Sequence, residues 1–304
     1  MEAHKAAASK VALLLAAIIW GSSFLVVKGT VGAVSSTFLV GMRGAIAFVL
    51  LAVIFHRKLR ALDKGTLLGG ALMGAFVFLS YTLQTVGLSL GTMPGKCAFL
   101  TSNYCVLVPF LSWALTRKRP TGRAFLAAFV TVCGVGLISL DGGLGITEGD
   151  ALIMLAGLCT ACNMCANARF AKKHDAISLT IVQFGVIAIL GWGGVLATGS
   201  IPASLNLKEL AGLLYLGVFP TGLCMMLQSI GIKHTDPSSA AILISSESIF
   251  SVLLSVLLFH ERVTLTMAAG FVLIFGAILL SEVRSSAFRR NRLLPRRQKL
   301  FRHA

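Results

Sequence analysis

The residues able to do chemistry in this sequence are few, and most lie inside long apolar runs. Glu247 is the one acid in the interior of such a run, about ten residues into a stretch over 238–259, so roughly 15 Å deep at helical rise. A carboxylate at that depth is destabilising unless it is protonated, paired with a cation, or turned toward a wet cavity where it can meet a ligand. Arg43 is the only other charge well inside a run. It either pairs with Glu247 or snorkels outward along its own stem. Ser245, Ser246 and Ser248 surround Glu247 and offer local hydrogen bonds. Gln84 and Gln228 each sit near the end of an apolar stretch, and Asn163 and Asn167 share a helical face at i, i+4. Asn103 and Tyr104 are neighbours inside another run, while Trp20 and Tyr81 are either interfacial-belt rings or cavity walls. All of these groups can also serve as glue between helices. The candidate binding set is therefore Trp20, Tyr81, Gln84, Asn103, Tyr104, Asn163, Asn167, Gln228, Ser246 and Glu247, with Arg43 and Glu247 as a coupling or charge pair.

Catalytic constellations are missing from this pattern. There is no HExxH, no paired aspartate cluster and no serine–histidine arrangement, and the six histidines (4, 56, 174, 234, 260 and 303) fall in loops or tails. Cys159, Cys162 and Cys165 are spaced along one helix without a nearby histidine or carboxylate to complete a metal site, so they read as small-residue packing. No phosphate-binding P-loop is present, which argues against direct ATP drive. No enzyme activity and no cofactor are expected.

The elements that must position these groups are membrane helices. The chain is 56% hydrophobic and only 12% charged, with a mean hydropathy of +0.87, whereas a soluble domain is about a quarter charged. Several runs reach the roughly 20 residues that a bilayer crossing needs, and none alternates with the period of two that a β-barrel requires. Spans are predicted near 11–28, 36–55, 66–89, 95–116, 120–140, 151–170, 177–197, 209–231, 238–259 and 264–283. The first runs on past a signal peptide's length. Leu83–Leu88, Pro94 and Arg119-Pro120-Thr121 recur as Leu227–Ile232, Pro237 and Arg262-Val263-Thr264. The offset is about 144 at the glutamines, 143 at the prolines and 142 at Phe129 and Phe271, as an internal duplication leaves behind. Five spans per repeat is odd, so the second copy is expected upside down relative to the first, an arrangement common among transporters. The fold expected is all-α and polytopic, ten transmembrane helices as two inverted five-helix repeats around a central cavity. The repeats are placed at 1–145 and 146–284, joined by a Gly-rich acidic linker from Asp141 to Asp150, with a basic tail at 285–304.

The formal net charge is +16 and the pI about 10.1. Nucleic acid is not the expected partner, because the basic residues lie in short loops and the tail rather than on a folded soluble face. Of the 27 lysines and arginines, all but Lys28, Arg43, Lys96, Lys208 and Arg262 fall on the side shared by both termini. That bias predicts cytoplasmic termini in a multi-pass protein of the cell membrane. The tail is expected to lie on anionic lipid. Lys96, at a helix start, is expected to snorkel, and Glu261 to act in a cap or salt bridge within its turn.

Three stretches carry a resemblance. Ile19-Trp20-Gly21-Ser22-Ser23-Phe24 is similar to the EamA family of the drug/metabolite transporter superfamily. So are Gly95–Tyr104 followed by Val108-Pro109, and Ser246-Glu247-Ser248-Ile249-Phe250 followed by Leu257–Glu261. The resemblance covers about residues 11 to 283. It implies a cavity between repeats, lined largely by spans 3, 4, 8 and 9 with help from 1, 2, 6 and 7, and export or uptake of small metabolites, often amino acids. Where the family often has a proline after the span-9 glutamate this chain has Ser248, which implies a less kinked helix. Where it often has Trp-Ala in span 6 this chain has Thr160-Ala161, which leaves Trp20 as the aromatic floor. The expected partners are a small-molecule substrate and the lipid bilayer, in a monomer or homodimer. The expected function is that of a secondary-type transporter, permease or exporter, of amino acids or related amphipathic solutes by alternating access. A lipid scramblase and an intramembrane lipid-modifying enzyme are the alternatives.

Overall fold

The structure, a computed structural model, describes residues 2–60, 62–117, 119–120, 122–140, 146–235 and 237–282. The basic tail assigned to 285–304 lies outside the described residues.

Helix α1 runs Glu2–Thr30 and starts well before the apolar run at 11, because the alanine-rich residues that precede it favour helix. Helix α2 (Ser36–Ile54) is capped by the Ser35 hydroxyl, which accepts from Phe38 N at 3.2 Å. A single turn, α3 (His56–Leu59), leads to α4 (Lys64–Ser89), capped by Asp63. The fourth predicted span is two helices, α5 (Pro94–Thr101) and α6 (Tyr104–Thr116), followed by α7 (Gly122–Leu140). Helix α8 (Glu148–Phe170) opens on a capping box between Thr147 and Asp150, so the last residues of the expected linker are already helical; residues 141–145 lie outside the described set. Helix α9 (Ala176–Thr198) is capped by Asp175. Helix α10 (Leu207–Leu216) continues through a π-helical segment, Gly217–Leu223, into α11 (Cys224–His234). The ninth predicted span is also two helices, α12 (Pro237–Ser245) and α13 (Glu247–Phe259), and α14 (Leu265–Glu282) completes the described chain. Arg117 after α6 and His260 after α13 both take a left-handed conformation, at φ 56° and 51°, so the two split spans end alike.

Among the described residues, seven helices are long and apolar enough to cross a bilayer: Ala8–Thr30, Ser36–Ile54, Lys64–Ser89, Pro94–Thr116, Glu148–Phe170, Ala176–Thr198 and Leu207–Ile232. Shorter apolar stretches lie at Phe125–Gly134, Leu243–Phe259 and Leu265–Ala277. Leu68, Val53, Ile189, Leu196, Phe129 and Val272 are among many large apolar side chains left exposed. That belt belongs in hydrocarbon.

The most extensive helix contacts join the first half of the chain to the second: α4 on α8 and α9, α2 on α9, α7 on α14, and α1 on α11 and α13. The halves therefore share one core. Backbones approach closely because glycine stands at the crossings. A Cβ at Gly191 of α9 would lie 2.3 Å from the Cα of Gly41 on α2. Gly191→Ala is therefore expected to force the two backbones apart and destabilise the fold by about 1–3 kcal/mol. Thermal unfolding in detergent checks this, and an unchanged melting temperature would show the crossing to be slack.

Candidate functional site

A cavity of about 60 Å³ lies between the two halves. That space holds several waters or a small polar headgroup. Trp20, Ser23, Phe24 and Val27 of α1, Arg43 of α2, and Val77, Ser80, Tyr81, Gln84, Thr85 and Leu88 of α4 form much of its wall. Thr101, Tyr104, Thr160, Asn163, Met225, Gln228, Ile244 and Glu247 complete it.

Two broken helices bring the most polar part of this wall together. Helices α5 and α6 part at Ser102–Asn103, and α12 and α13 part at Ser246. The first residues after each break are Tyr104 and Glu247. They stand 143 positions apart, the same offset as Pro94 and Pro237, and the Tyr104 hydroxyl donates to Glu247 Oε1 at 3.3 Å. Equivalent positions of the two halves thus meet. The Ser102 and Ser248 hydroxyls lie 2.6 Å apart, and Ser248 donates to Ala98 O at 3.1 Å. The ninth span is broken even without the proline that the family often carries there. Ser246 donates to Leu243 O at 2.7 Å, Ser248 is drawn to the other half, and Ile249 N turns to Ser246 O at 3.1 Å. Serine hydroxyls competing with the backbone do what a proline would have done.

Arg43 is 3% exposed. Its guanidinium carbon lies 3.8 Å from the centroid of the Tyr81 ring, and Nε donates to Thr221 Oγ1 at 2.8 Å. Thr221 belongs to the π-helical segment around Pro220, where the missing N–H has loosened the helical ladder. Trp20 Nε1 donates to Pro220 O at 2.7 Å. Trp20 and Tyr81 are both buried, so neither is an interfacial-belt ring. Arg43 and Glu247 share the cavity but do not form a direct ion pair among the described residues. Arg43 is held by Thr221 and Tyr81, and Glu247 by Tyr104.

Gln84 and Gln228, the repeated pair, both line the cavity, as does Asn163, which donates to Met73 O at 3.1 Å. Three candidates lie outside the lining. Asn103 donates to Met154 O at 3.0 Å, Asn167 to Ser229 Oγ at 3.1 Å, and Ser246 bonds its own helix. These three join helices or shape the break. The aromatic wall is broader than Trp20, since Phe24, Tyr81 and Tyr104 contribute. Sequence reasoning missed Ser80 and Thr160, whose hydroxyls lie 2.8 Å apart, and Thr221. Thr221 had a signal, being next to the proline that interrupts its span. The hydroxyl pair had none, because serine and threonine are equally common as glue between membrane helices. Lys96 does not snorkel: Nζ is 2.8 Å from Asp150 Oδ2. Glu261 does act as a cap, but of α5 in the other half.

Residues 9–140 and 147–282 each match the EamA-like transporter family. An uncharacterized transporter of Archaeoglobus fulgidus is 29% identical over 276 residues, covering 90% of this chain and 85% of the relative. A second uncharacterized transporter of that organism is 24% identical over 286 residues, covering 89% of this chain and 97% of its own. A protein crystal structure superposes with a TM-score of 0.69 at 18% identity, over 93% of this chain and 99% of the other, a likeness of fold. With the family matched twice in succession across a multi-pass helical chain, this protein belongs to the EamA-like transporter family.

Proposed function

We propose that this transporter is a secondary-type permease or exporter that moves small zwitterionic solutes, amino acids or close relatives, by alternating access between two inverted five-helix repeats. The repeats are 1–145 and 146–284, each of five spans. Both termini are cytoplasmic in the cell membrane, and 285–304 is a basic tail on anionic lipid. Support for the repeat comes from Tyr104 against Glu247, Pro94 against Pro237, and Arg117 against His260, each pair 143 positions apart. One observation carries the substrate reading. A single small cavity holds both a buried carboxylate and a buried guanidinium that do not neutralise each other directly. A solute bearing an ammonium and a carboxylate satisfies both. Its carboxylate takes the N–H groups of Arg43, a fork suited to carboxylate geometry, and its ammonium takes Glu247. Gln84, Asn163, Gln228 and Tyr81 supply uncharged contacts around it.

Counterflow in proteoliposomes tests this. Labelled amino acids are expected to exchange across the bilayer and to raise the melting temperature of the purified protein. The corresponding amines and amino-acid esters, which lack the carboxylate, are expected to do neither. Movement of phospholipid between leaflets without solute exchange would overturn the reading.

A further inference from the structure

We propose that Lys96, Asp150 and Glu261 are positioning residues of transport: they form a clasp that holds the cavity shut at the end of the bundle where α1 finishes, and releasing it lets the cavity open there. The inference goes beyond the substrate reading and holds for any solute.

The clasp grips the start of α5 from two sides, both in the second half of the chain. Gly95 N–H donates to Glu261 Oε2 at 3.0 Å and Lys96 N–H to Oε1 at 3.3 Å, while the Ser255 hydroxyl also donates to Oε2. The carboxylate satisfies two of the N–H groups that a helix start leaves without partners, and it sits at the positive end of the helix dipole. A Cβ added at Gly95 would lie 2.7 Å from Glu261 Oε2, so a side chain there would have to push the capping carboxylate aside. On the other side the Lys96 ammonium meets Asp150 Oδ2, which also accepts from Thr147 N at 3.2 Å. Asp150 is fully buried.

The clasp lies at the end of the bundle toward which the cavity lining extends. Val27 and Leu88 line the cavity at this end, and Lys28 Nζ donates to Leu88 O at 2.7 Å and to Thr92 O at 3.2 Å. Helix α5 links the gripped Gly95 to Thr101 in the cavity wall, a rigid rod roughly 9 Å long. A displacement of the α5 start therefore reaches the site. The opposite end of the bundle is tied differently. Lys58–Asp175 and His174–Asp63 join the halves there, but their carboxylates are 45% and 58% exposed. Exposed pairs contribute little to stability. The two ends are thus unequal, with buried charge at one and solvated charge at the other.

Charges suit a reversible closure better than apolar packing does. A buried ion pair is a poor source of net stability, because both partners regain hydration when it parts. An apolar seal would instead expose hydrocarbon on opening.

The test is the sidedness of the cavity in the full chain. A Val27→Cys reporter is placed in a background whose seven native cysteines are replaced. It is labelled with a membrane-impermeant maleimide in spheroplasts and in inside-out vesicles. Lys96→Met and Glu261→Gln are each expected to raise labelling from the clasp side about tenfold and to lower it from the other side, as a shift between two states requires. Glu261→Gln keeps the side chain's shape and decides the matter if Lys96→Met fails to fold. A lower melting temperature with an unchanged ratio of labelling between the two sides would overturn the proposal, because a merely structural contact behaves that way.

Discussion

Glu247→Gln is expected to weaken binding of an ammonium-bearing solute by about ten- to hundredfold while leaving the fold at least as stable. A hydrogen bond to a charged group contributes about 1.5–3 kcal/mol, and that is the contact the neutral amide loses. The amide keeps the volume of the acid and still accepts from the Tyr104 hydroxyl, the one side-chain hydrogen bond of Glu247 among the described residues. Glu247 is 5% exposed, so the substitution also removes a charge from a poorly hydrated place. Solute-induced shifts in melting temperature and solute flux in proteoliposomes, with and without a pH gradient, measure the effect. Wild-type flux with unchanged pH dependence, in a variant as stable as the parent, would show that the charge takes no part in transport.

Glu247 also shows why some of the site was legible in the sequence and some was not. A lone acid at the centre of an apolar run announces itself, because hydrocarbon tolerates it only for a reason. Arg43 does so by the same logic, and the paired glutamines by recurring at one offset. The internal repeat made the helix order and the split spans comparable between halves, and helix ends other than the start of α1 fell close to their expected places. The partner of each charge could not be read. Lys96 looked like a snorkelling lysine because nothing in its own helix answers it; Asp150 comes from 54 positions away. Asn103 and Asn167 were indistinguishable from Asn163 by type and depth, yet they point to Met154 O and Ser229 while Asn163 borders the cavity. One amide turned by part of a helical turn is glue and another is lining, and spacing along a single helix does not separate the two. The serine-made break before Glu247 was hidden because proline is the familiar signal for such a break.

Those breaks bear on how the two halves can work as one machine. Tyr104 and Glu247 each begin a helical segment, so both side chains sit where a helix N-terminus opens onto the cavity. Segments α5 and α13 also touch along their length: the Ser251 hydroxyl donates to Pro94 O at 3.2 Å, and Ser248 reaches Ala98 O. At one end of this pair Glu247, the first residue of α13, meets Tyr104, the first residue of α6, and at the other Glu261, just past α13, caps α5. A ligand that reorients Glu247 therefore acts on the same pair of helices that the clasp holds.

Replacing Arg43 is expected to separate binding from stability most sharply. The guanidinium is buried, stacked over Tyr81 and bonded through Nε to Thr221. If its role were only structural, Arg43→Met would sacrifice a stacking contact of about 0.5–2 kcal/mol and a charged hydrogen bond, and the protein would melt at a lower temperature. Burial of the charge opposes both gains, and an apolar side chain of similar volume in place of a buried charge is often neutral or stabilising. The Thr221 hydroxyl has an alternative acceptor in the backbone of its own helix, so it need not be left without a partner. The expected result is thus a change in stability within about 1 kcal/mol and loss of solute binding. Arg43→Lys sharpens the test. It keeps the charge but loses the planar fork, so affinity for a carboxylate-bearing solute is expected to fall about tenfold rather than vanish. Melting temperatures with and without saturating solute report both quantities in one experiment. A methionine variant that melts several degrees lower yet still binds its solute would place Arg43 among the helix-packing residues and remove the carboxylate half of the proposed site.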